Sequence, residues 1–145
     1  MADEKKDNDI LEELKEEENL VGKNFKKILV VDDIMYVVKS ISKILRDEGY
    51  FVITAMSGNE AISKFVKYSP DLITIDQKLP DMTGIQLVEK ILSSNTELKP
   101  KLVFITAVYE KDEVKSILNL DVDNYLLKPF KKNKLIEIVK ELIGE

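Results

Sequence analysis

Short, nearly unbroken apolar runs alternate along this chain with longer stretches in which apolar positions recur at helical spacing. The runs include Ile28-Leu29-Val30-Val31, Leu72-Ile73-Thr74-Ile75, Leu102-Val103-Phe104-Ile105 and Tyr125-Leu126-Leu127. Continuous rather than alternating apolarity marks strands covered on both faces, and helices between them supply the cover, so the pattern predicts a parallel α/β sheet. The expected elements are a strand over Lys27–Val31, a helix over 34–47 stopped by Gly49, and a strand over Phe51–Ala55. Ser57 with Glu60 reads as a capping box that opens a helix ending near Tyr68, where Ser69-Pro70 blocks its continuation. A strand running to Asp76, a loop marked by Leu79-Pro80-Asp81 and Gly84, and a helix over 85–92 follow. Pro100 then precedes a strand over Lys101–Thr106, a helix over Lys111–Leu118 and a strand over Asn124–Leu127. The closing helix, 131–143, places Leu135, Ile138, Val139 and Leu142 on one face. Five strands and five helices alternate.

Charge separates an appendage from this regular part. Residues 1–24 carry nine acids against four lysines, which accounts for the whole formal charge of −5, and residues 25–145 carry 18 of each sign. Ile10, Leu11, Leu14, Leu20 and Val21 leave a weak helical stripe in the tail, interrupted by Glu16, Glu17 and Glu18. Two readings stand for residues 1–24: a solvated, mostly disordered tail, or a helix that docks on the domain or a partner. A neutral domain without a basic stripe has little affinity for a phosphate backbone, so direct nucleic-acid binding is not expected.

Composition removes whole classes of chemistry. The chain has no Cys, hence no disulfide or thiolate metal site, and no His, the commonest general base and zinc ligand. No apolar run approaches the roughly 18 residues of a membrane span and the N-terminus is charged, so a cytoplasmic protein is expected. What remains is oxygen and ammonium chemistry.

Such groups stand immediately after the apolar runs: Asp32-Asp33, Asp76, Thr106 and Lys128. In open parallel sheets ligands bind outside the carboxyl ends of the strands, so all of them converge on one edge. Three acids there repel one another unless a cation is present, and Mg²⁺ prefers hard oxygen ligands, one or two carboxylates plus a phosphate oxygen. Asp33 and Asp76 could ligate it directly, with Asp32 helping through water. A carboxylate beside Mg²⁺ can attack phosphorus to give an acyl phosphate, while the Thr106 hydroxyl and Lys128 ammonium clamp the phosphoryl oxygens. Spacing favours Asp76 as the acceptor but also permits Asp33 in that role. Each group taken singly has a plainer use: Asp32-Asp33 as a helix cap, Thr106 as a strand residue, Lys128 as a turn lysine, Tyr125 as packed core. Their ordered conjunction carries the argument.

That order resembles the receiver domain of response regulators, the phosphoacceptor of two-component signalling. The family pattern is an acid pair after the first strand, an acceptor Asp after the third, Thr or Ser after the fourth and Lys-Pro after the fifth. Here it stands as Asp32-Asp33, Asp76, Thr106 and Lys128-Pro129, and Asp76-Gln77-Lys78-Leu79-Pro80-Asp81-Met82-Thr83-Gly84 resembles the loop that follows the acceptor. The resemblance covers the chain from about Phe25 onward. It implies a doubly wound, flavodoxin-like sheet in order 2-1-3-4-5, Asp76 as acceptor, the Lys78 carbonyl as a further metal ligand and a cis Lys128-Pro129 bond. It also implies a switch in which Thr106 moves toward the phosphate and Tyr125 rotates into the vacated space, remodelling the face of the fourth helix, fifth strand and fifth helix.

The implied partners are a histidine kinase or histidine phosphotransfer protein as donor and a downstream protein target on that face. The implied chemistry is the chain's own phosphorylation and dephosphorylation, not turnover of a separate substrate. Lys78 and Val108 occupy positions that in the family influence hydrolytic water, so they bear on the lifetime of the phosphorylated state. The closing helix followed by Gly144-Glu145 leads us to expect a stand-alone receiver rather than a fragment of a longer regulator. A pseudo-receiver acting only as an interaction module would have lost the acids or the lysine, and none is lost. An acidic first loop without a glycine-rich phosphate cradle argues against a flavin or nucleotide carrier.

Overall fold

The structure, a computed structural model, describes residues 10, 25–94, 97 and 99–144; both readings of the tail, residues 1–24, therefore lie essentially outside the described residues. The strands are β1 (Lys27–Val31), β2 (Phe51–Ala55), β3 (Leu72–Ile75), β4 (Lys101–Thr106) and β5 (Asn124–Leu127). The helices are α1 (Met35–Asp47), α2 (Gly58–Tyr68), α3 (Gly84–Leu92), α4 (Lys111–Leu118) and α5 (Lys132–Ile143). Every strand is parallel to its neighbours and the order is β2-β1-β3-β4-β5, the doubly wound arrangement expected.

Successive strand residues point to opposite faces, and each face has its own helices. Leu29, Val31, Ile73, Ile75, Leu102 and Phe104 face α2, α3 and α4, where Phe65, Leu87, Val88 and Ile117 meet them. Ile28, Val30, Leu72, Val103 and Ile105 face α1 and α5, meeting Ile41, Leu45, Leu135 and Val139. This two-sided cover is why β1 and β3 carry no polar face; the one hydroxyl in β3, Thr74, is itself buried. Among acids outside the site, Asp71 and Asp123 close the opposite edge, accepting from the backbone N–H of Lys27 (2.7 Å) and Leu102 (2.8 Å).

The helix boundaries differ from expectation by one residue at three N-termini, 35, 84 and 132. The Ser57–Glu60 motif is also not reciprocal. Ser57 Oγ accepts from the Glu60 N–H (3.1 Å), but Glu60 Oε1 accepts from the N–H of Met56 (2.7 Å), one residue before the cap. A reciprocal capping box stands instead at α3, where Thr83 and Gln86 exchange side-chain-to-backbone bonds. The T-x-x-Q pattern that signals it is present in the sequence.

Two glycines answer to geometry. Gly49 closes α1 with φ +94°, a left-handed conformation that L side chains resist. Gly84 starts α3 directly against the acceptor strand: a Cβ there would lie 2.6 Å from the Asp76 carbonyl oxygen and 2.8 Å from the Phe104 ring. Backbone and a fully buried ring cannot yield cheaply, so Gly84→Ala should lower the unfolding free energy by about 1–3 kcal/mol in urea titration, the usual range for overpacking. Gly49→Ala, which meets nothing within 4 Å, should lose only about 1 kcal/mol, through backbone strain. Equal stability of Gly84→Ala and wild type would contradict this close approach.

Candidate functional site

Ladder hydrogen bonds run on past the named strand ends and fix the residues that follow. Asp32 N–H donates to Ala55 O (3.2 Å), Asp76 N–H to Val31 O (3.1 Å) and Lys128 N–H to Thr106 O (2.9 Å). The sheet thus orients three site residues through their own backbones. The register pairs Val31 with Ile75, Ile75 with Phe104 and Thr106 with Leu127, so Asp32, Asp76, Thr106 and Lys128 leave one edge of adjacent strands.

There, Asp32, Asp33 and Asp76 each present a carboxylate oxygen within 4.8 Å of the others. Asp32 and Asp76 are buried and Asp33 is exposed. Lys128 Nζ lies 2.7 Å from Asp32 Oδ2 and 3.4 Å from Asp76 Oδ2, so one ammonium serves two buried acids. Asp32 Oδ1 accepts from the N–H of Ile34 (2.9 Å) and Asp76 Oδ1 from that of Gln77 (2.8 Å). The helix-cap reading of the acid pair is met only in part: Asp32 takes the Ile34 N–H, but the N-cap of α1 is Ile34 itself, whose side chain makes no capping bond.

Burial raises the Asp32 carboxyl above its ordinary pKa; the Lys128 ammonium and the Ile34 N–H pull it down, and the Asp76 charge pushes it up again. The donor set fits a divalent cation on its geometry: three carboxylate oxygens lie within 4.8 Å of one another, one of them on an exposed residue, and the one ammonium in contact reaches only the two buried acids. Thr106 is the last residue of β4, at the same edge, with 1% exposure, and Lys128-Pro129 is cis as the resemblance implied.

The other expected residues are placed as follows. Tyr125 is half-buried, packs against the α2–α4 side of the core and donates its hydroxyl to Val108 O (3.3 Å); burial first, and the charges of Glu113 and Tyr109 next, raise its pKa. Val108 is buried and Lys78 exposed. Three contributors were not singled out from sequence. Gln77, 3% exposed, accepts from Gly84 N–H on its carbonyl (2.8 Å) and from Ile85 N–H on Oε1 (3.0 Å), tying the residue after the acceptor to α3. Tyr109 donates to the Lys128 carbonyl (3.3 Å). Asp81 accepts from the N–H groups of Gly58 and Asn59, which lower its pKa. The Tyr109 and Asp81 partners lie 19 or more residues away in sequence, beyond any local pattern.

The Asp32 shift has a consequence for stability. An acid whose folded pKa is raised binds more protons folded than unfolded between its two pKa values, so it costs stability above the folded value and nothing below the unfolded one. Asp32→Asn should therefore be more stable than wild type in Mg²⁺-free buffer at neutral pH. The gain should shrink as pH falls to about 4, the ordinary carboxylate range. Urea unfolding at several pH values reads this out; a gain that grows on acidification would contradict the charge account.

Comparison with known proteins agrees with this geometry. The family model described as the response regulator receiver domain matches residues 28–140. The chemotaxis protein CheY of Treponema pallidum is 39% identical over 120 residues, 81% of this chain and 82% of that protein. The alkaline phosphatase synthesis transcriptional regulatory protein PhoP of Bacillus subtilis is 36% identical over 118 residues, 81% of this chain but 48% of that protein. Among solved structures, a CheY-like receiver domain protein from Methanospirillum hungatei superposes with TM-score 0.74 at 33% identity, covering 81% of this chain and 93% of that one. CheY in a CheX–CheY–BeF3–Mg complex from Borrelia burgdorferi superposes with TM-score 0.74 at 27% identity, covering 83% of this chain and 90% of that one. Fold, site and matches agree, and the chain belongs to the response-regulator receiver domain family.

Proposed function

We propose that this receiver takes a phosphoryl group from the phosphohistidine of a histidine kinase or histidine phosphotransfer protein onto Asp76 and signals by protein contact. The observation that carries the proposal is the convergence of three carboxylate oxygens within 4.8 Å, with the Lys128 ammonium already bridging Asp32 and Asp76. An Asp76 oxygen attacks phosphorus in line as the P–N bond breaks and its electron pair returns to the donor imidazole. Lys128 pairs with one phosphoryl oxygen and the Thr106 hydroxyl donates to another. Asp33, Asp76, the Lys78 carbonyl and, through water, Asp32 would hold Mg²⁺, which when bound supplies neutralisation of the remaining phosphoryl charge. The protein turns over only its own phosphate, in the cytoplasm; among the described residues no helix is long and apolar enough to cross a membrane.

Two surface features support protein partners. Ile34, Met35, Tyr36 and Tyr109 are exposed beside the site, an apolar rim that a protein donor would cover and a small phosphate ester would not. Leu118 on α4 and Leu127 on β5 are exposed on the face proposed for the downstream target, the one that movement of Thr106 and Tyr125 would remodel.

Incubation with acetyl phosphate and Mg²⁺, read by intact mass, should give one phosphoryl adduct. That adduct should be absent with a chelator and absent in Asp76→Asn. Persistence of an acid-stable adduct in Asp76→Asn would sink the acceptor assignment.

A further inference from the structure

The loop from Gln77 to Thr83 follows the acceptor directly and carries the Lys78 carbonyl, so whatever fixes that loop fixes a ligand. Its base is closed onto α3 by the Gln77 bonds and by an isolated antiparallel bridge between Lys78 and Thr83. Its outer turn is held by something less local. Asp81 Oδ1 accepts from the N–H of Gly58 and Oδ2 from that of Asn59, both at 2.8 Å, the first two amides of α2. Those amides have no partner within their own helix, and a carboxylate meets the positive end of the helix dipole there. Ser57 caps only the third amide, Glu60, and the Glu60 carboxylate turns away to Met56. The first two positions are thus left to Asp81, which lies 23 and 22 residues along the chain.

A second contact points the same way. The Met82 side chain lies over Gly58 so closely that a Cβ at position 58 would run into its Cγ, Sδ and Cε. Glycine at the first position of α2 lets the loop seat against the helix, and Asp81 then reaches both amides with one carboxylate. The loop is clamped at both ends, to α3 through Gln77 and to α2 through Asp81, with Lys78 between.

We propose that Asp81 is a positioning residue for the phosphoryl-acceptor site: by capping α2 with both carboxylate oxygens it fixes the loop that presents the Lys78 carbonyl to the divalent cation. This rests on the proposed function, in which that carbonyl helps hold Mg²⁺. Coupling between two sites is reciprocal, so Mg²⁺ binding should in turn tighten the first turn of α2. The cation site and a helix that supplies none of its ligands would then report on each other.

The test is a calorimetric Mg²⁺ titration of the unphosphorylated full chain as wild type, Asp81→Ala, Asp81→Asn and Ser57→Ala, with thermal unfolding of each. Ser57→Ala removes a cap from the same helix without touching the loop, so it controls for loss of stability alone. Asp81→Ala should weaken Mg²⁺ binding about tenfold, as loss of a group orienting a ligand does. Asp81→Asn, which keeps one acceptor oxygen, should fall between Asp81→Ala and wild type, and Ser57→Ala should stay within about twofold of wild type. Hydrogen exchange at Gly58 and Asn59 should slow on Mg²⁺ addition in wild type and not in Asp81→Ala. Wild-type affinity in Asp81→Ala, or an equal loss in Ser57→Ala, would overturn the positioning role while leaving the cation site standing. Failure of wild type itself to bind Mg²⁺ would overturn the proposed function and this inference with it.

Discussion

At the carboxyl edge of the sheet two buried carboxylates, Asp32 and Asp76, share one ammonium beside a third, exposed acid, Asp33, and much of the architecture holds that imbalance in place. Asp32 and Asp76 are buried, with Lys128 Nζ at 2.7 and 3.4 Å from them, and at Asp32 burial outweighs the ammonium and raises the carboxyl pKa. Free in water, three like charges would separate. Here their backbones are held, because the N–H groups of Asp32 and Asp76 donate ladder bonds to the carbonyls of Ala55 and Val31. The result is a concentration of negative charge that a divalent cation would offset under the proposed function.

Holding such a site requires a rigid floor. Five parallel strands buried on both faces supply it, with α1 and α5 closing one side and α2, α3 and α4 the other. The loops above are fixed by polar contacts instead: Gln77 to α3, Asp81 to α2 and Tyr109 to the carbonyl of Lys128. Rigidity from apolar packing and adjustability from hydrogen-bonded loops are thereby separated. The hydroxyl of Tyr125 on the Val108 carbonyl is one such contact, and its release belongs to the switch that the proposed function invokes.

Nearly all of the fold and the core of the site were legible in the sequence, for a physical reason. A doubly buried strand must be apolar at consecutive positions, so polar residues such as Asp32, Asp76 and Lys128 stand out at its end, and the strand-helix alternation leaves only one edge for them. Strand order came from resemblance, since the apolar runs of β1, β3 and β4 are interchangeable by pattern. What was not legible depends on contacts between distant segments. Asp81 reads locally as a turn residue after Pro80, and nothing near it in sequence announces Gly58 and Asn59. Glu60 reads as half of a capping box, yet it bonds Met56 because the turn before Ser57 brings that amide within its reach. Gly84 reads as a loop glycine, while its actual constraint is the carbonyl of Asp76 and the Phe104 ring.

Locating the phosphoryl group is the most direct test of the account. An acyl phosphate is reduced by borohydride, which converts the modified aspartate to homoserine, and peptide mass spectrometry then identifies the position. After phosphorylation with Mg²⁺ present, the account predicts homoserine at residue 76, with Asp32 and Asp33 unchanged. Homoserine at residue 33, or phosphate on a hydroxyl that survives reduction, would contradict it.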